Sequence, residues 1–147
     1  MTKLNVLVLC TGNSARSIMA EYWINHDLGD TWQAFSAGVD PKGLNPWTKI
    51  VLEEKGFDLS AARSESVYDY LDRDDLDLVV TVCDHARETC PVFPHPVEQI
   101  HVGFEDPAEY TDADEQKALE TFREARDRIR SVLIPILLEK AQQHTQG

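Results

Sequence analysis

The chain has 147 residues with 26 Asp plus Glu against 14 Lys plus Arg, a formal net charge of −12, and a pI near 4.7. Its length suits one domain spanning residues 1–147, and its 42% hydrophobic content is too high for a disordered chain. The acidity argues against nucleic acid or an anionic membrane surface as partner, because phosphates are repelled over most of such a surface.

The elements follow in chain order. The opening residues carry only a short apolar run with no small-residue cleavage site, so they do not read as a signal peptide. No stretch reaches the roughly 18 apolar residues of a membrane span, and a cytoplasmic protein is the default expectation. Leu4 to Leu9 reads as a buried strand that stops at a polar loop. From Ser17 the spacing turns helical, with Ile18, Met19, Tyr22 and Trp23 on one side, and Gly29 is expected as a left-handed cap. Thr31 to Ser36 suits a second strand. Pro46 suits the first turn of a helix that runs to about Lys55, with Gly56 beyond its end. Leu76 to Val82 is the next clear strand and delivers Cys83 at its carboxyl end; Gln99 to Val102 is a short fourth one. From Asp112 onward, apolar residues from Leu119 to Ile136 keep the 3.6-residue period of a long final helix, which Pro135 is expected to kink. Alternating strands and helices predict a single three-layer α/β/α domain around a four-stranded parallel sheet. Ligands of such sheets bind beyond the carboxyl ends of the strands, where both Cys10 and Cys83 fall.

Cys10-Thr11-Gly12-Asn13-Ser14-Ala15-Arg16-Ser17 joins the first strand to the first helix. Five residues between the Cys and the Arg let the loop curl until its backbone N–H groups face inward, at a helix N-terminus that favours a tetrahedral oxyanion. Thr11 to Ser17 are therefore the candidate substrate-binding residues. Arg16 would close the cradle with paired charge-assisted hydrogen bonds, and Gly12 and Asn13 are expected to take left-handed conformations. Inward amides and the helix dipole favour a thiolate at Cys10, which would then face the bound anion as a nucleophile. The competing reading is a buried cysteine with an ion-paired arginine.

Taken together, Val6 to Ser17, Met19-Ala20-Glu21, Ser36-Ala37-Gly38, Asn45-Pro46, Val80 to Cys83, Cys90-Pro91 and Gly103 to Ala108 resemble the low-molecular-weight tyrosine phosphatase superfamily. Within it the resemblance is to thioredoxin-coupled arsenate reductases. The loop alone does not separate phosphatase from reductase, since arsenate and phosphate share shape and charge. A phosphatase needs one cysteine and an acid. Cys83 and Cys90, with six residues between them in a polar stretch expected to be mobile, are surplus to it.

The resemblance implies arsenate as substrate, with phosphate or sulfate as analogues, and arsenic detoxification as the role. It further implies Cys10 as nucleophile, Asp106 as the acid protonating the departing oxygen, a Cys10–Cys83 and then a Cys83–Cys90 disulfide, and thioredoxin as reductant. No cofactor is required. A potassium ion beside the loop is implied at Asn13, Glu21, Ser36 and Glu65, where the family usually has Asp in place of Glu65; an ion-free hydrogen-bond network of Asn13, Glu21 and Ser36 is the other reading. The alternatives are a tyrosine phosphatase using Cys10, Arg16 and Asp106, and a non-enzymatic oxyanion or redox sensor. A zinc site is disfavoured by the spacing of Cys83 and Cys90, which is too wide for it. His85, between the two cysteines, is a candidate base for either thiol and otherwise an exposed side chain.

Overall fold

The computed structural model describes residues 3–146; Met1, Thr2 and Gly147 of the expected domain lie outside the described residues. Four strands, β1 (Leu4–Cys10), β2 (Trp32–Gly38), β3 (Leu78–Thr81) and β4 (Glu98–His101), form one sheet in the order β2-β1-β3-β4. All its pairings are parallel. Val6, Leu7, Val8 and Leu9 in β1 are all fully buried. Since successive side chains of a strand point to opposite faces, both faces of the sheet are covered, as the expected three-layer arrangement requires.

The helices are α1 (Arg16–Asp27), α2 (Pro46–Glu53), α3 (Asp84–Thr89) and α4 (Glu115–Gln146). Two buried indoles fasten α4 to the body: Trp23 Nε1 donates to Arg126 O and Trp32 Nε1 to Leu137 O, both at 3.0 Å. Buried polar N–H groups need such partners, and the two bonds fix the register of α4 against the apolar contacts of Phe122, Ile129, Leu133 and Leu137. Pro135 lies inside α4. Among the described residues, no helix is long and apolar enough to cross a membrane.

Several boundaries differ from the sequence reading. β2 runs on to Gly38 because it pairs with β1 along its whole length, Cys10 opposite Gly38, while β3 keeps only Leu78–Thr81 of the expected strand, the part with a partner in β4. The helix α4 starts at Glu115, after a turn in which the Asp114 carboxylate accepts from Lys117 N at 2.9 Å. Gly29 is not left-handed; positive φ among the glycines occurs at Gly43 and Gly56. Gly29 is needed instead for a close approach, since a Cβ there would sit 2.3 Å from the Asn25 carbonyl oxygen. Gly12 is not left-handed either, and the loop takes its single left-handed residue at Asn13, φ 46°.

Gly38 ends β2 directly against the Cys10–Ser17 loop. A Cβ there would lie 2.6 Å from Thr11 O and 2.9 Å from Asn13 N, both backbone atoms with no freedom to retreat. Gly38→Ala should therefore lower the unfolding free energy by about 1–3 kcal/mol, the usual cost of overpacking, as measured by urea denaturation; an unchanged midpoint would show that the loop yields.

Candidate active site

The loop after β1 owes its shape to where its carbonyls go. Cys10 O accepts from Val39 N at 3.2 Å, Thr11 O from Asp40 N at 2.9 Å and Gly12 O from Lys42 N at 2.9 Å. Asn13 O accepts from the Ser64 hydroxyl at 2.6 Å, and Ser14 O from Asn45 N at 3.0 Å and the Thr48 hydroxyl at 2.9 Å. Five consecutive carbonyls are thus engaged by the segments around the loop, which frees its N–H groups for the enclosed space ahead of α1. These tethers give the physical basis on which the inward ring of amides is expected, and Asn13 N, which donates to Cys10 Sγ, follows it.

Cys10 is buried at the centre. Its Sγ accepts from Asn13 N at 3.2 Å and lies 2.9 Å from Ser17 Oγ. The Ser17 oxygen already accepts from Asn13 Nδ2 at 2.7 Å, so its own proton is left for the sulfur. Two hydrogen-bonding groups thus converge on the Cys10 sulfur.

Arg16 begins α1 and is nine-tenths buried. Its Nη1 donates to Phe104 O at 3.0 Å, and Nη2 lies 3.5 Å from Asp106 Oδ2. Asp106 is the more exposed partner, 38% by side chain, and its Oδ1 accepts from Ala108 N at 2.9 Å to cap a 3₁₀ turn at Pro107–Tyr110. The structure thus brings Cys10, Arg16 and Asp106 to one end of the sheet. The ordinary reading, in which Arg16 merely pairs with an acid, is not separate from the functional one: the acid it pairs with is Asp106.

Cys83 caps α3, its Sγ accepting from Ala86 N at 3.4 Å, and lies 3.2 Å from the Thr11 hydroxyl. The register of β1 on β3, Leu9 opposite Thr81, dictates this closeness, because each chain needs two more residues to reach Thr11 and Cys83. Cys90 stands at the other end of α3, half-buried, and burial pushes its thiol above the ordinary value. All three thiols are free. The stretch expected to be mobile is thus a six-residue helix with Ala86 as its one buried member. His85 on that helix is exposed. His101 on β4 bridges Thr81 Oγ1 at 2.8 Å and Asp84 Oδ1 at 3.1 Å, beside the start of α3.

Behind the loop, Asn13 Nδ2 donates to Ser36 Oγ at 3.0 Å, Ser36 donates to Glu21 Oε1 at 2.5 Å, and Asn13 Oδ1 accepts from Glu65 N at 2.8 Å. The network read from the sequence is present. Glu65 adds its carboxylate, which accepts from the Tyr70 hydroxyl at 2.9 Å. Glu21 and Glu65 line one cavity of about 360 Å³. Burial, and to a lesser degree the charge of Glu65, pushes Glu21 up to about 7 against the pull of Ser36. Arg63 lines the same cavity, its Nη2 3.5 Å from Glu65 Oε2, while Ser36 lies behind it. The oxygens of Glu21, Glu65 and Ser36 are hard donors of the kind a monovalent cation takes, with Arg63 as a competing charge.

Of the tethering residues, Asn45 enters the sequence reading only through the resemblance of Asn45-Pro46, and Ser64 and Thr48 do not enter it; as single polar side chains in other segments they carry no periodic signal. The Thr11 and Ser17 hydroxyls were singled out only as loop members, although the short Thr/Ser spacing around Cys10 hints at sulfur-directed donors.

The chain matches the model of the family described as low molecular weight phosphotyrosine protein phosphatase over residues 5–146. It is 43% identical over 129 residues to an arsenate reductase of Halalkalibacterium halodurans, covering 88% of this chain and 91% of that one. A solved structure of an arsenate reductase in the phosphate binding state superposes with a TM-score of 0.70 at 26% identity, over 92% of this chain and 98% of the other. A thioredoxin-dependent arsenate reductase of Corynebacterium glutamicum gives 0.61 at 26% identity, over 93% of this chain and 63% of that longer one.

Because Glu21 holds its proton more tightly in the folded than in the unfolded chain, the stability it contributes is whole below about pH 4.5 and is lost as pH rises through about 7. In potassium-free buffer Glu21→Gln should abolish that decline and leave the variant up to about 3 kcal/mol more stable at pH 8. Denaturant titrations from pH 4 to 8 read this directly; parallel curves for the two proteins would contradict it.

Proposed function

Since the chain belongs to the low molecular weight phosphotyrosine protein phosphatase family, we propose that it is the family's arsenate-reducing kind, converting arsenate to arsenite for arsenic detoxification through Cys10, Cys83 and Cys90 with thioredoxin as final reductant. One observation carries the reading: Cys83 touches the anion loop itself, its Sγ 3.2 Å from Thr11 Oγ1, while Cys90 waits at the far end of a short helix. A phosphatase has no use for this pair. The arsenate reductases among the similar proteins support the substrate, and the thioredoxin-dependent one supports the reductant.

The steps follow from the groups present. Arsenate sits in the loop, its oxygens facing the inward amides, with Arg16 turned from Phe104 O and Asp106 onto the anion. The Cys10 thiolate forms a sulfur–arsenic bond, and the displaced oxygen leaves as water with a proton from Asp106. Cys83, as thiolate, attacks Cys10 Sγ. The sulfur–sulfur bond forms as the sulfur–arsenic bond breaks, its electron pair stays on arsenic, and arsenic(V) leaves as arsenic(III). Cys90 then attacks Cys83 Sγ, which releases Cys10 as thiolate and leaves a Cys83–Cys90 disulfide for the dithiol of thioredoxin to reduce.

The last exchange requires α3 to come apart. Seven residue steps at helical rise separate Cys83 from Cys90 by about 10 Å, beyond the ~7 Å Cα limit of a disulfide. With so little of α3 buried, its opening is inexpensive, and it brings Cys90 out of the surroundings that keep its thiol protonated. Where a potassium ion is present, Asn13, Glu21, Ser36 and Glu65 would hold it, and it would supply positive charge behind the loop, offsetting the two carboxylates. A tyrosine phosphatase using Cys10, Arg16 and Asp106 is the second reading; the family itself favours it.

The deciding measurement is NADPH oxidation coupled through thioredoxin reductase and thioredoxin. Arsenate should drive steady turnover in the wild type, and Cys83→Ser or Cys90→Ser should lower it at least a hundredfold. Cys90→Ser should still release one equivalent of arsenite per chain. Full turnover by either variant would sink the relay, and p-nitrophenyl phosphate hydrolysis without arsenate reduction would make the chain a phosphatase.

A further inference from the structure

Asp106 stands on a segment whose far end is gripped by α2. Thr111, which closes the turn at Pro107–Tyr110, donates its hydroxyl to Ala108 O at 2.7 Å, and Ala108 N in turn holds Asp106 Oδ1 at 2.9 Å. Two side chains at the start of α2 hold Thr111. Asn45 Nδ2 donates to its Oγ1 at 3.0 Å, and the Trp47 indole Nε1 donates to its carbonyl oxygen at 3.1 Å. The same few residues bind the anion loop, Asn45 through its N–H and Thr48 through its hydroxyl, both onto Ser14 O. Asn45 also caps α2, its Oδ1 accepting from Trp47 N at 2.9 Å, so the grip is stiff. The circuit closes through Arg16, two residues beyond Ser14, whose Nη2 lies 3.5 Å from Asp106 Oδ2.

The acid and the anion loop are therefore referenced to one rigid body, the first turn of α2. We infer that Trp47, with Asn45, is a positioning residue for Asp106: acting through Thr111, it sets the distance between the acid and the oxygen that departs when Cys10 attacks. This rests on the reading of Asp106 as the acid. Proton transfer needs heavy atoms within about 3 Å, and Asp106 is otherwise a partly exposed side chain on an irregular segment. The Trp47 ring lies half-buried between the two parts, and its N–H is the contact that distinguishes a clamp from packing.

The test is a double-mutant cycle on single-turnover arsenite formation by the reduced protein, which needs no thioredoxin. Trp47→Phe keeps a ring and removes the N–H. It should lower the limiting rate about tenfold and leave the half-saturating arsenate concentration within twofold. Asp106→Asn should lower the rate more, and Trp47→Phe added to Asp106→Asn should cost nothing further. A multiplicative loss in the double variant, an unchanged rate in Trp47→Phe, or a rate loss matched by a fall in melting temperature and in arsenate binding would overturn the clamp. An undiminished rate in Asp106→Asn would remove the acid reading itself. If the wild type forms no arsenite, the reductase reading fails separately. The same cycle on p-nitrophenyl phosphate hydrolysis then decides the clamp, since that leaving oxygen also takes a proton.

Discussion

The outward commitment of the loop carbonyls is the constraint on which the rest depends. A peptide unit cannot turn its C=O one way without sending its N–H the other, so tethering Cys10 O to Ser14 O from outside aims the amides inward. The tethers come from the segment after β2, from the start of α2 and from Ser64. The anion site is therefore a product of the whole α/β body and not of one short motif. This also resolves the apparent conflict between an acidic chain and an anionic ligand. The net charge of −12 describes the surface, whereas the site is governed by amides, one nearly buried arginine and a helix end at close range.

Around that fixed loop, the remaining groups are held with graded firmness. Cys10 and Ser17 are buried in the first turn after the strand, and Asn13 stitches them to Ser36 and to the backbone of Glu65. Asp106 is tied at two points but open to solvent on one side. Cys83 and Cys90 bracket a helix with little buried surface, its start held by Asp84 to His101 and by Arg87 to Asp84. On the proposed relay, anchoring falls off in the order in which the chemistry would call on each group: Cys10 as nucleophile would need no motion, Asp106 as acid a fine adjustment, and Cys83 and Cys90 as exit thiols a large one.

The strands and the anion loop were legible because their signals are local: a continuous apolar run, an abrupt polar turn, a helical period. The loop's cysteine and arginine follow from spacing alone. The tethers were not legible, because Ser64, Asn45 and Thr48 are ordinary polar residues whose meaning lies in what they face. Gly29 shows the same limit in reverse. A glycine after a helix suggests a left-handed cap, yet here it answers to the Asn25 carbonyl pressing against the space a side chain would fill. The two thiols beyond Cys10 that point from phosphatase towards reductase are displayed plainly by the sequence. Their juxtaposition is not, for it depends on β1 and β3 being neighbours in register.

That strand neighbourhood also bears on how the chain survives its own synthesis. Cys10 lies far from the other two thiols in sequence, and β1 meets β3 only after the intervening residues have looped back. A wrong bridge from Cys10 in the nascent chain must therefore work against a long loop closure. Cys83 and Cys90, seven positions apart, have no such protection from distance and can join readily in an unfolded chain. Forming α3 holds them at arm's length. The helix that the proposed redox cycle opens is thus also the element that, while closed, spaces Cys83 and Cys90 too far apart to bridge.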